Sequence, residues 1–134
     1  MDFSTTILCI DDDGDDLVFI QEAIKNHSTP FSVVEAKNGE EGLAYLYRAK
    51  QSGELPCLII MDINMPKMDG RRAIQLIKED KDLSKIPLVV FSTSSSSLDQ
   101  RYFELYQVQY ITKPNHYQAF TNKVSEMLSH VIAG

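Results

Sequence analysis

Residues 58–61 read Leu-Ile-Ile-Met without a polar interruption, and residues 7–10 and 88–91 are as uniformly apolar. A strand with one face in water alternates apolar and polar positions. A short unbroken apolar run bounded by turn residues is the pattern of a strand covered on both faces. Two further β-branched or aromatic runs, 31–36 and 110–112, complete a set of five. Between the runs, apolar residues recur at helical spacing: Leu17, Ile20 and Ile24; Leu43, Leu46 and Tyr47; Ala73, Ile74 and Ile77. A short fourth stripe, Leu98, Tyr102 and Leu105, and a longer fifth one, Phe120, Val124, Leu128 and Val131, finish the chain. Pro30, Pro56 and Pro87 each stand just ahead of a strand run, where a fixed φ and a missing N–H end the preceding element without breaking a ladder. Strand and helix alternate five times. This order predicts an α/β fold, a doubly wound parallel sheet with right-handed crossovers and helices on both faces.

At 134 residues the chain has the size of one domain, so residues 1–134 are expected to form a single unit without a separate output domain. Thirteen basic against 19 acidic residues give a net charge of -6, which repels a phosphate backbone and argues against nucleic-acid binding. No apolar stretch approaches the roughly 20 residues of a membrane span, and no basic-then-apolar leader opens the chain, so a cytoplasmic protein without membrane contact is expected. Cys9 and Cys57 lie in strand runs with no metal-ligand spacing and read as buried free thiols.

In doubly wound sheets the functional crevice lies beyond the carboxyl ends of the strands. Polar residues collect at those positions here: Asp11-Asp12-Asp13 after the first run, Asp62 after the third, Ser92-Thr93 after the fourth and Lys113-Pro114 after the fifth. Carboxylates packed together raise one another's pKa or require a cation. Hard oxygen donors beside a phosphate suit Mg²⁺, which takes one or two carboxylates and keeps several waters. An acidic pocket with one lysine and one hydroxyl therefore points to phosphoryl chemistry, with Asp62 as nucleophile and Lys113 and Ser92 binding the transferred oxygens. Asp13 to Asp16 also suit the start of the first helix, where side-chain acceptors cap it and negative charge complements its dipole. The same run imitates a calcium loop, with Glu22 at the twelfth position, but its glycine falls at the fourth position instead of the sixth and a strand precedes it. His27, His116 and His130 share no ligand spacing and read as surface residues.

Ile10-Asp11-Asp12, then Met61-Asp62-Ile63-Asn64-Met65-Pro66-Lys67-Met68-Asp69-Gly70, then Phe91-Ser92, then Tyr110-Ile111-Thr112-Lys113-Pro114 resemble the receiver domain of two-component response regulators, of the stand-alone chemotaxis-regulator type, over nearly the whole chain. The resemblance implies a flavodoxin-like, three-layer αβα fold with strand order 2-1-3-4-5 and five helices. It implies that Asp62 is the phosphoacceptor and that Asp11, Asp12, Asp62 and the backbone carbonyl of Asn64 hold Mg²⁺. It also makes Ser92 the switch hydroxyl, Lys113 the phosphate-binding lysine, Tyr110 the switch aromatic and Lys113-Pro114 a cis peptide. Asn64 and Ser94 match positions that tune the lifetime of the phosphoryl group.

By the same resemblance the phosphoryl donor is a histidine kinase or phosphotransfer protein, and the output surface is the fourth helix, fifth strand and fifth helix. That face would bind a downstream protein or a second copy of the chain. Such a domain takes part in its own phosphorylation but turns over no free metabolite, so it is not counted as an enzyme. Two departures stand out. The segment 102–107, Tyr-Phe-Glu-Leu-Tyr-Gln, is aromatic and polar where the family more often ends its fourth helix with Ala and Gly, so this helix is expected to be short or unusual. Thr93 adjoins Ser92, and a one-residue register change would make it the switch hydroxyl; Ser92 is preferred because it directly follows the apolar run. Two other functions compete. Asp11-x-Asp13 suggests a small Mg²⁺-dependent phosphatase of the haloacid-dehalogenase type, although Glu126 is the only acid after Lys113. A receiver-like module that binds partners without phosphorylation is the other.

Overall fold

A computed structural model describes residues 4–65, 69–93 and 97–133. Strands β1 (Thr6–Ile10), β2 (Ser32–Ala36), β3 (Leu58–Met61), β4 (Leu88–Ser92) and β5 (Gln109–Thr112) alternate with helices α1 (Gly14–Lys25), α2 (Gly39–Ser52), α3 (Gly70–Glu79), α4 (Ser97–Leu105) and α5 (Tyr117–Ala133). All neighbouring strands pair in parallel, in the order β2-β1-β3-β4-β5. This is the flavodoxin-like αβα architecture.

The three uniformly apolar runs are β1, β3 and β4, which occupy the inside of the sheet. Their alternate side chains enter two separate cores. Leu8, Ile10, Ile59, Met61, Leu88 and Val90 pack with Leu43 and Leu46 of α2 and Ala73, Ile74 and Ile77 of α3. Ile7, Cys9, Leu58, Ile60, Val89 and Phe91 pack with Leu17, Ile20 and Ile24 of α1 and Phe120, Val124 and Leu128 of α5. The edge strands β2 and β5 are only partly buried. Both cysteines are buried and free; burial above all pushes their thiols above the ordinary range.

Two stripe positions differ from expectation. Tyr47 is exposed on α2, where Ala49 continues the buried face instead. Leu105 is 83% exposed, whereas Phe103 is fully buried. The end of α4 explains this. Gln107 has φ 58, its N–H bonds to Glu104 O, and the N–H of Val108 bonds to Phe103 O at 2.9 Å. This left-handed closure turns the chain sharply, burying Phe103 and Val108 and leaving Leu105 on the rim. Gln107 thus fills the place where a glycine is usual, which accounts for the departure seen in segment 102–107. The side chains of Leu98, His130 and Val131, and residues 66–68 and 94–96, including Ser94, lie outside the described residues.

Candidate phosphoacceptor site

The strand ends hold the polar residues by extending the sheet ladder one step. The N–H of Asp11 bonds to Ala36 O, that of Asp62 to Ile10 O and that of Lys113 to Ser92 O, at 2.9, 2.9 and 2.7 Å. Three residues remote in sequence are thereby placed in register. Carboxylate oxygens of Asp11, Asp12 and Asp62 lie within 4.8 Å of one another, with Asp11 and Asp62 buried and Asp12 exposed. The Lys113 ammonium bonds to Asp11 Oδ2 at 2.7 Å, Asp16 Oδ2 at 2.8 Å and Asp62 Oδ2 at 3.1 Å. Asp62 Oδ1 accepts from the N–H of Asn64 at 3.1 Å, which fixes the next turn of chain against the Asp62 carboxylate.

Burial pushes the Asp11 carboxyl up to about 6. The charge and hydrogen bond of Lys113 and the N–H of Asp13 pull against that rise, and Asp62 adds to it. Burial alone would lower the Lys113 ammonium. The charge and hydrogen bond of Asp11, the hydrogen bond of Asp16 and the charge of Asp62 outweigh it and hold the ammonium above its ordinary range. Among the described residues, one cation faces the carboxylates of Asp11, Asp12, Asp16 and Asp62, which leaves this part of the pocket negative. Its hard oxygen donors fit a divalent cation of the Mg²⁺ kind.

The acidic run divides its labour. Asp13 caps α1, its Oδ1 accepting from the N–H groups of Asp15 and Asp16 at 3.0 and 3.2 Å, and so stands apart from the acid cluster. Asp16, expected only to complement the helix dipole, reaches Lys113. Its signal was in the helical period, because Asp16, Ile20 and Ile24 are four residues apart and lie on one face.

Ser92 is the last residue of β4, fully buried and paired in register with Thr112. It shares the β4 face of Leu88 and Val90, whereas Thr93 is exposed and lines a cleft of about 250 Å³ with Asp16, Lys113 and His116. Tyr110 is half-buried, its ring stacked on Phe103 at 5.6 Å. No cis peptide bond occurs among the described residues, so Lys113–Pro114 is trans, contrary to expectation. Trans is the lower-energy form even before proline.

Asp69 caps α3, and Gly70 opens it. A Cβ there would lie 2.6 Å from Ile63 Cα and 3.0 Å from Asp62 O, so only glycine lets α3 approach the segment Asp62-Ile63 this closely.

Residues 7–125 match the response regulator receiver domain family. The response regulator Rcp1 of Synechocystis sp. is 34% identical over 113 residues, which cover 80% of this chain and 75% of that protein. Two other curated relatives are far longer, and the chain spans 15% and 9% of their lengths. Among solved structures, the phosphorylated cyanobacterial phytochrome response regulator RcpA superposes with a TM-score of 0.89 at 34% identity, covering 95% of this chain and 93% of that one. The Mn²⁺-bound form of response regulator Rcp1 gives 0.85 at 29% identity, covering 92% and 91%.

Proposed function

Because the chain belongs to the response regulator receiver domain family, we propose that it is a phosphorylation switch in which Asp62 accepts a phosphoryl group from a histidine kinase or phosphotransfer protein. The observation that carries this reading is the convergence of Asp11, Asp12, Asp62 and Lys113 at the strand ends. Asp11, Asp12, Asp62 and the carbonyl of Asn64 would hold Mg²⁺, a role supported by the acid set and by the Mn²⁺ bound to the relative Rcp1. When bound, the ion neutralises charge on the transferred oxygens.

A carboxylate oxygen of Asp62 attacks phosphorus in line; the new O–P bond forms as the P–N bond to the donor imidazole breaks, and the ring, already protonated on its other nitrogen, takes the P–N electron pair and leaves as neutral imidazole. Asn64 N–H and Lys113 fix the attacking carboxylate beforehand, so little reorganisation accompanies the transfer. Lys113 then binds a phosphoryl oxygen. Ser92 reaches for another, and Tyr110 follows inward over Phe103, biasing the surface made by α4, β5 and α5 between two states. That surface passes the signal to a downstream protein or to a second copy of the chain, in the cytoplasm. Tyr102 and Tyr106, with rings 5.0 Å apart, contribute aromatic area to it.

With Mg²⁺ and acetyl phosphate the intact mass should rise by one phosphoryl group, and Asp62→Asn should stay unmodified. A wild-type protein that forms no adduct overturns the reading.

A further inference from the structure

We propose that Asp16 is a positioning residue for phosphoryl acceptance, anchoring the Lys113 ammonium beside Asp62 while the other carboxylates that hold it are engaged elsewhere. The inference rests on the reading of Asp62 as acceptor and concerns the lysine that serves it.

An ammonium has three protons to donate. All three of Lys113 have a carboxylate within reach, those of Asp11, Asp16 and Asp62. Two of these partners are shared. Asp11 and Asp62 belong to the converging acid set suited to a divalent cation, and Asp62 is also the site of phosphoryl attachment. Among the described residues, Asp16 alone bonds the lysine without belonging to that set.

Its placement suits an anchor. The backbone of Asp16 is pinned by the Asp13 cap, and its side chain heads the same helical stripe as buried Ile20 and Ile24. With 21% of its side chain exposed, it lies in the cleft lined also by buried Lys113 and by Thr93 and His116. Lysine carries a point charge on a long rotatable stem. An anchor outside the acid set holds that charge at the acceptor and stops it from competing with the cation for Asp11. Asp15, one residue earlier, carries the same charge in the same helical turn but makes no bond to Lys113, and so serves as a control for charge alone.

The test compares the full chain with Asp16→Asn, Asp16→Glu and Asp15→Asn, each also in combination with Lys113→Met. Mg²⁺ affinity is read by calorimetry without phosphodonor, and the initial rate of adduct formation is read across acetyl phosphate concentrations. Asp16→Asn should weaken Mg²⁺ binding and lower the saturating rate by about tenfold, the lower end of effects seen when a residue orienting a metal site is lost. Asp16→Glu should recover most of both, and Asp15→Asn should change neither by more than about twofold, as for a screened surface charge. With Met at position 113, Asp16→Asn should do no more than Asp15→Asn. The proposal is overturned if Asp16→Asn behaves as Asp15→Asn in the presence of Lys113, or if its effect persists undiminished after Lys113→Met. A wild type without adduct would instead sink the acceptor reading, while the calorimetric cycle still decides the hold of Asp16 on Lys113.

Discussion

Replacing Gly70 by Ala would bring a methyl group to within 2.6 Å of Ile63 Cα, 3.0 Å of Asp62 O and 3.1 Å of Ile63 Cγ2. Ordinary contact begins at 3.4 Å, so the first turn of α3 must withdraw by about 0.8 Å or the acceptor loop must give way. Neither is free to do so. Asp62 is tied to Ile10 O at 2.9 Å, and Gly70 itself is tied to Ile63 O at 3.1 Å. Forcing a methyl into a packed backbone contact costs about 1–3 kcal/mol. Alanine regains at most about 1 kcal/mol of helix preference over glycine, and less in a first turn. Gly70→Ala should therefore destabilise the fold by about 1–2 kcal/mol in urea titrations followed by circular dichroism. It should also slow adduct formation with acetyl phosphate, because the displaced segment carries Asp62. Gly42→Ala is the contrasting case: its clashes, 2.4 Å to Ile10 Cδ1 and 2.9 Å to Cγ1, are with a core side chain and not with the backbone of the Asp62 segment, so it should lower stability while the adduct rate stays near the wild-type value. A Gly70→Ala protein as stable as wild type and phosphorylated as fast would refute the claim that this close approach positions the acceptor.

Gln107→Gly should stabilise the protein by about 0.5–1 kcal/mol in the same titration, since the left-handed backbone at φ 58 is unfavourable for a residue with a Cβ. Phe103→Ala should cost about 3–5 kcal/mol, whereas Leu105→Ser on the exposed rim should change stability by less than about 0.5 kcal/mol. Asp80 accepts from the N–H groups of Asp82 and Leu83 and from Lys50. Burial works against it, but the Leu83 N–H, Lys50 and the Asp82 N–H together hold its carboxyl below the usual range. A depressed carboxyl contributes stability that is present above its unfolded value of about 3.9 and is lost as pH falls through the lower folded value. Asp80→Asn should therefore be destabilising near neutral pH and approach wild type as acid protonates Asp80, which paired melts across pH would check. Removing divalent ions with EDTA should abolish adduct formation on wild type while leaving its circular dichroism spectrum unchanged.

The sheet was legible because β1, β3 and β4 are apolar on both faces, and only strands inside a two-sided sheet need that. Asp11, Asp12, Asp62 and Lys113 could be placed together because each follows such a run and parallel strands end on the same side. Ser92 was harder to place, since a strand boundary carries no signal of its own; its pairing with Thr112 sets the register. Asp16 went unread because an acid in a first helical turn already has a sufficient reason to be there, and its contact with Lys113 spans 97 positions. Phe103 and Leu105 exchanged roles because the left-handed residue that closes α4 is a glutamine, and nothing in that letter announces a turn.

The bonds Asp11 N–H to Ala36 O, Asp62 N–H to Ile10 O and Lys113 N–H to Ser92 O each join the ends of different strands, and that of Asp62 spans two helices and a strand of chain. No fragment ending short of β5 can own this pocket. A chain released with its last strand unpaired keeps its acids but lacks the lysine, and one with a strand slipped by a single residue turns its acceptor to the wrong face. The meeting of Asp11, Asp12, Asp62 and Lys113 is therefore a certificate of complete folding, issued by the sheet itself.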